Sequence, residues 1–502
     1  MSFIISKKKL LKSKKIPLIF IILGFLISCI YSTVLFQKYD KNFIATNGSI
    51  KNYLIKGDTQ VYFDEANVII KQLDNNVNLL KLGSEYKVSF LYPRLLAFFF
   101  YLTGEEIKEE LQNKDNLEIY KANDKDKKIL LTQKQKYQNN YNLEIYKTNN
   151  KKLLFLFLQS FFYYFCIYFF FKKTKKKISY KILNLLVFFL CFEPTIMQFN
   201  SHFLTESIYF GLLILLFSLL VNFNKSYKYH LIIGLIIGVM YLQRSVALYL
   251  LFPIIIYYIF YLKRLSIFIK SIFFIIIGQI IILSLLGYSN YQRSEIFYIT
   301  PKQTKQTMWY YLTDSIVAVA NQDDIVYAHK TRKNDAEQWI KENKINLEDE
   351  RDRLKLYSYY QSYFFKTFKE YPVISLKIVI WKSLQSSILD PGMVYSTIKS
   401  DNSINRYWEN SLFGFTEKII YSLIIYSIST LGAISYFNKK EYLIPSLFIM
   451  FGLYHIAILG WVGVSRYSVP SIVCISLLFA KGVLYIKMYL EENNFKLPFK
   501  KK

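Results

Sequence analysis

Apolar runs of 12 to 25 residues alternate with polar, lysine-rich stretches along most of the 502-residue chain. Runs near 20 residues match the thickness of a bilayer, because each helical residue rises 1.5 Å. Ten such runs are expected to span: Ile16–Phe36, Leu153–Phe171, Ile178–Phe192, Thr205–Val221, Leu231–Leu242, Val246–Leu262, Ile267–Gly287, Leu412–Tyr436, Tyr442–Leu459 and Val469–Met488. The pattern predicts an all-α polytopic membrane protein of about ten transmembrane helices, with interfacial helices and an external, mainly helical soluble segment. The run "VSFLYPRLLAFFFYLTG" (Val88–Gly104) is short and holds Pro93 and Arg94, so it is expected to lie in the outer interface without crossing.

Charge sets the direction of the spans. Basic clusters at Lys7–Lys15, "KKTKKK", "NFNKSYKYH", Lys263–Arg264 and "NKK" fall at alternate ends of the runs, and such clusters stay on the cytoplasmic side. The N-terminus is therefore expected inside, and the loop 37–152 outside. Residues 288–372 carry 13 Lys/Arg against 12 Asp/Glu, a balance suited to an external segment. The division expected is 1–287 as an N-terminal transmembrane catalytic module with the external loop 37–152, 288–372 as the soluble segment, and 373–502 as an interfacial helix followed by C-terminal spans. In the soluble segment "NDAEQWIKEN" predicts a helix capped by Asn334, and "NLEDERDRLK" a second helix ending before Pro372. "VISLKIVIWKSLQSSILDPG" is apolar but holds Lys377 and Lys382, which predicts a helix along the outer surface. Residues 105–150 contain a weak repeat, "NLEIYKANDKDKK" and "NLEIYKTNNKK", too few copies for a solenoid.

The net charge of +28 does not imply nucleic acid, since the lysines sit where they set topology. "LISC" near the N-terminus resembles a lipoprotein cleavage box, but the apolar run continues past Cys29 to Phe36, which predicts a retained first helix. Cys29, Cys166, Cys191 and Cys474 each lie in an apolar run with no spacing pattern, so neither a disulfide framework nor a zinc site is expected.

Three groups of residues carry candidate chemistry, all assigned to the outer side. In "KGDTQVYFDEANVIIKQ", Asp58, Tyr62, Glu65, Ala66 and Ile69 share one helical face and Asp64 points elsewhere. On spacing alone Asp58 reads as a helix cap. In "EPTIMQFNSHFLTES", Glu206 opens a span, where a carboxylate is costly and marks a functional candidate. His202 lies four positions earlier, a spacing that suits a metal ligand pair. Arg94, Arg244 and Arg466 sit at outer boundaries, where a guanidinium can grip a phosphate bidentately or snorkel to headgroups. No Gly-rich phosphate loop or Ser-His-Asp arrangement appears, so a cytosolic nucleotide site is unsupported.

In order along the chain, the features resemble the polyprenyl-phosphate-dependent glycosyltransferases of the C superfamily, whose relatives include protein O-mannosyltransferases and lipid A aminoarabinose transferases. The matching residues are Asp58 with Tyr62 at +4 and Ala66 at +8, then "FLYPRLLAFFFYLTG", then Pro194 with Glu206, then "GLIIGVMYLQRSVALYLLFP", then "SRYSVP". The family's paired prolines are reduced here to Tyr92-Pro93, and the 105–150 insert is unusual. The resemblance implies transfer of a sugar from a polyprenyl-phosphate donor to a glycan, lipid or protein acceptor at the outer face of a bacterial inner membrane, by direct displacement with inversion. It implies Asp58 as base, Glu206 beside it, Tyr62, Glu65, Arg94, His202, Arg244 and Arg466 in substrate binding, and room for a divalent cation at Asp58, Glu206 and His202, with no cofactor demanded. The rival readings are a flippase, which should show inverted repeats and midplane charges, and a non-catalytic membrane scaffold.

Overall fold

A computed structural model describes residues 15–39, 42–44, 50–52, 58–83, 89–104, 150–262, 264–300, 302–347, 349–391, 414–459 and 465–493. The repeat at 105–149 lies outside these residues. The chain is an all-α polytopic membrane protein, apart from one short antiparallel pair, Asn42–Ile44 with Ile50–Asn52.

The N-terminal part consists of α1 (Ile16–Tyr39), α2 (Asp58–Asp74), α3 (Leu91–Leu102), α4 (Asn150–Thr174), α5 (Tyr180–Phe192), α6 (Pro194–Asn200), α7 (Glu206–Val221), α8 (Tyr227–Gln243), α9 (Leu251–Tyr261) and α10 (Leu265–Ser294). Five helices of the described residues are long and apolar enough to cross a membrane: α1, α4, α10 and two C-terminal helices, α16 (Phe415–Asn438) and α19 (Pro470–Glu492). The bent pair α5–α6 makes a sixth, and the apolar helices α7, α9 with its leading 3-10 turn, and α17 (Leu443–Leu459) are shorter. Helix α3 has 12 residues, roughly 18 Å, short of a hydrocarbon core of roughly 30 Å.

Glycines set the closest helix contacts. A side chain at Gly234 would meet the Ile275 carbonyl at 2.0 Å, and one at Gly278 the Leu231 carbonyl at 2.4 Å, so α8 and α10 touch backbone to backbone. Gly432 and Gly482 do the same for α16 and α19. Lipid tails are as apolar as leucine, so helices in a membrane gain by such close van der Waals contact.

The segment between α10 and α16 is helical: α11 (Lys302–Thr307), a π-helix (Met308–Thr313), α12 (Asp314–Asn321), α13 (Ile325–Glu342), α14 (Glu350–Glu370) and α15 (Pro372–Ser386). The expected cap at Asn334 is corrected. Helix α13 begins nine positions earlier, where Asp324 Oδ1 accepts from Val326 N at 2.6 Å, and Asn334 lies in its middle. Helix α14 is capped by Asp349 and ends at Glu370, before Pro372, as the sequence predicts. On α15, Val373, Leu376, Ile380, Trp381 and Leu384 form an exposed apolar stripe, while Ser375 and Ile378 pack inward. That is the face a helix lying along a bilayer surface presents.

Candidate active site

The candidate residues come to one end of the bundle because they sit at helix termini. Asp58 is the first residue of α2, Glu206 the first of α7, and Arg244 directly follows α8. Arg466 is carried by the short α18 (Ser465–Ser468) between α17 and α19.

Arg466 joins the two acids. Its Nη1 lies 2.6 Å from Asp58 Oδ2, its Nε donates to Glu206 Oε1, and its Nη2 donates to Glu206 Oε2 at 3.2 Å. Arg244 Nη1 lies 3.1 Å from Glu206 Oε1. Glu206 is wholly buried, while Asp58 keeps 29% of its side chain exposed. Burial opposes the charge on Arg466, but Glu206 and Asp58 outweigh it and raise its pKa above the ordinary guanidinium value. The centre holds two acids and two arginines, so its charge is balanced. Buried charges are tolerated only when paired in this way.

Neighbouring side chains fix these four. Gln243 Nε2 donates to the Thr205 carbonyl at 3.1 Å, tying the end of α8 to the start of α7. Thr59 Oγ1 bonds the Phe203 carbonyl at 3.3 Å. Tyr62, one turn along α2 from Asp58, is buried edge-to-face against Tyr92 at 5.2 Å. Tyr92 Oη donates to Gln159 Oε1 at 2.9 Å, and Gln159 Nε2 donates to the His202 carbonyl at 2.9 Å. Gln159, Gln243 and Tyr92 had no assigned role in the sequence. The signal for Gln159 was its polar side chain inside the apolar run "LFLQSFF", where an amide needs a partner.

The remaining candidates sit elsewhere or act differently. Asp58 binds Arg466 with its carboxylate instead of serving only its own helix. Asp64 is exposed and accepts from Gln60 at 2.7 Å. Glu65 and Arg94 surround Gly83 (φ +95°), where an added Cβ would meet Glu65 Oε1 at 2.5 Å and Arg94 Nη2 at 3.2 Å. Arg94 also donates to the Phe90 and Leu82 carbonyls, at 2.8 and 2.6 Å, so it ties Leu82 to the start of α3. His202 does not share a helical face with Glu206, because the chain turns through 201–205 before α7 begins. Its Nδ1 meets the Gln198 carbonyl at 2.9 Å, and burial with the charge of Arg466 depresses its pKa to about 4. Glu193 caps α6 through Ile196 N at 2.7 Å and accepts from Tyr421. Among the described residues no three His, Cys, Asp or Glu side chains form a metal cluster.

Residues 88–300 of this helical bundle match the model of the Alg9-like mannosyltransferase family. The matched segment contains Arg94, His202, Glu206 and Arg244, and Asp58 and Arg466 fall outside it. No curated protein matches the chain. A similar solved structure is the archaeal oligosaccharyltransferase AglB from Archaeoglobus fulgidus, in complex with an inhibitory peptide and a dolichol-phosphate. It is 10% identical, with a TM-score of 0.46, over 96% of this chain and 52% of that one. The chain therefore spans about half the length of that structure.

Proposed function

We propose that the protein transfers a sugar from a polyprenyl-phosphate donor to a hydroxyl acceptor at the outer face of the membrane. The observation that carries this reading is the convergence of Asp58, Glu206 and Arg244 on Arg466, with Asp58 the exposed carboxylate of the set. An acceptor hydroxyl needs a base it can reach, and Asp58 is reachable where Glu206 is not. The acceptor oxygen attacks the anomeric carbon as the bond from that carbon to the phosphate oxygen breaks. The hydroxyl proton passes to Asp58, and the bonding electrons leave with the lipid phosphate. Arg466 and Arg244 stabilise the charge that grows on that phosphate. A single displacement inverts the anomeric centre.

Glu206 has a positioning role in this scheme. Fully buried between two guanidinium groups, it holds both arginines at the site. A divalent cation here would take Asp58 and Glu206 as oxygen ligands and would displace Arg466 from both. The arginines already supply positive charge where a cation would, so no step is assigned to one. The basic clusters at the opposite helix ends support an outward-facing site in a bacterial inner membrane.

The test is Asp58→Asn, reconstituted in lipid vesicles with a panel of polyprenyl-phosphate monosaccharides, reading release of polyprenyl phosphate. A loss on the order of 10²- to 10⁴-fold in turnover is expected for removal of a general base. Undiminished turnover would sink the assignment.

A further inference from the structure

Helix α17, "LIPSLFIMFGLYHIAIL", carries a basic side chain, His455, inside an apolar run. An ionisable group at such a depth needs a partner and is by default a functional candidate. His455 is wholly buried. Its Nδ1 lies 2.7 Å from the Phe451 carbonyl, one turn back, and its Nε2 lies 3.0 Å from the Tyr209 hydroxyl. A carbonyl only accepts, so Nδ1 carries a proton. Among the described residues no carboxylate bonds the ring, and an unpaired imidazolium in an apolar bundle is costly. The ring is therefore neutral, and Nε2 offers a lone pair. The Tyr209 hydroxyl donates to it.

Tyr209 passes this constraint to the charged centre. It lies three positions after Glu206 on α7, so the two share a face. The Arg244 guanidinium stands 5.9 Å from the centroid of the Tyr209 ring, within cation–π distance, and its Nη1 lies 3.1 Å from Glu206 Oε1. Donating the phenolic proton to His455 holds the ring in place and leaves its face richer in electrons, which favours the cation. The preceding residue of α17 acts on the same turn. Tyr454 donates its hydroxyl to the Val246 carbonyl, in the 3-10 turn that follows Arg244. Consecutive helical residues point about 100° apart. Helix α17 thus reaches the backbone beside Arg244 with one side chain and Tyr209 with the next.

We infer that His455 is a positioning residue: through Tyr209 it fixes the orientation of the Arg244 guanidinium at the charged centre. It makes no hydrogen bond or ion pair with the acids or arginines of that centre among the described residues, so its effect runs through the phenol. The inference rests on the proposed transfer and deepens it, since it names what holds one of the two arginines assigned to the donor phosphate. A small misplacement of such a group is enough to slow a reaction strongly.

The test uses the full-length protein in lipid nanodiscs, isotopically labelled at arginine, with the Arg244 Nε–Hε NMR signal assigned by its loss in Arg244→Lys. The signal is expected to move or broaden in His455→Leu and in Tyr209→Phe. It should return in His455→Gln, whose side-chain oxygen accepts where Nε2 did. With a polyprenyl-phosphate monosaccharide as donor, kcat/KM should fall roughly tenfold to a hundredfold in each single variant. The double variant should lose no more, because both changes remove the same link. Tyr209→Phe removes a single oxygen, so it decides the matter if His455→Leu does not fold. The arginine spectrum needs no donor. A moved Arg244 signal with no turnover by the unaltered protein would therefore count against the proposed transfer and support the positioning. An Arg244 signal unmoved in both variants, or losses that multiply in the double variant, would overturn the inference.

Discussion

The two site carboxylates differ in surroundings more than in spacing. Asp58 opens an amphipathic helix and stays partly exposed, while Glu206 opens an apolar helix and is sealed between arginines. His202 shows the same control by surroundings and yields a pH prediction. Its pKa falls from about 6.5 in the unfolded chain to about 4 in the fold, so the unfolded state binds more protons between those values. Its contribution is complete above about pH 6.5 and is lost as pH falls toward 4. Wyman linkage puts the full loss at about 3 kcal/mol. Melting curves in detergent at about pH 7.5 and about pH 4.5 are expected to show a smaller acid shift for His202→Asn than for the unaltered protein. An equal shift would place the acid sensitivity in other groups. Among single residues, Asp58, Glu206, Arg244 and Arg466 were legible because a charge at the end of an apolar run is expensive and easily seen.

At the scale of elements, the apolar runs located the helices well, and their breaks are bends and turns in the fold. Glu193-Pro194 bends α5 into α6 by 52°, and "QRS" ends α8 and begins a 3-10 turn, Ser245–Leu250. The second break frees the end of α8 at the site, where Arg244 pairs with Glu206, while Glu193 at the first caps α6 and accepts from Tyr421. Helix-to-helix contacts were illegible, since a glycine in an apolar run does not announce its partner. The α16–α19 contact supplies a test. A Cβ on Gly432 would stand 1.9 Å from the Leu478 carbonyl, whereas one on Gly452 of α17 would find its nearest neighbour, Cys474 Cβ, at 3.5 Å. Gly432→Val should therefore overpack and destabilise by about 1–3 kcal/mol, with a lower melting temperature in nanodiscs. Gly452→Ala should change the melting temperature little. If the two variants melted alike, the close backbone approach would not be a determinant of stability.

For the whole molecule, the helix order assigns every site residue to one end. Helix α5 runs from the lysine-rich link 172–177 toward Glu193, α7 runs back from Glu206 toward Asn222, and α8 returns from the link at 222–226 to Arg244. Helix α16 runs toward Lys439 and Lys440, and α17 brings the chain back to Arg466. The lysine-rich links thus lie opposite the charged centre, and loop lysines of this kind are retained in the cytoplasm. The site end should then be extracytoplasmic, where a lipid-carried sugar in the outer leaflet could reach Arg466 and Arg244 without crossing the bilayer. Residues 37–152 belong on that side if α3, at 12 residues, lies in the interface held by Tyr92 against Tyr62. An alkaline phosphatase fused after about residue 130 should be active, and a fluorescent protein fused to the C-terminus should be bright, since the last helix ends at the basic side. An inactive phosphatase together with a dark C-terminus would mean that Val88–Gly104 crosses the membrane as an eleventh span, which would separate Asp58 from the helix ends that carry Glu206 and Arg466 and would break the site.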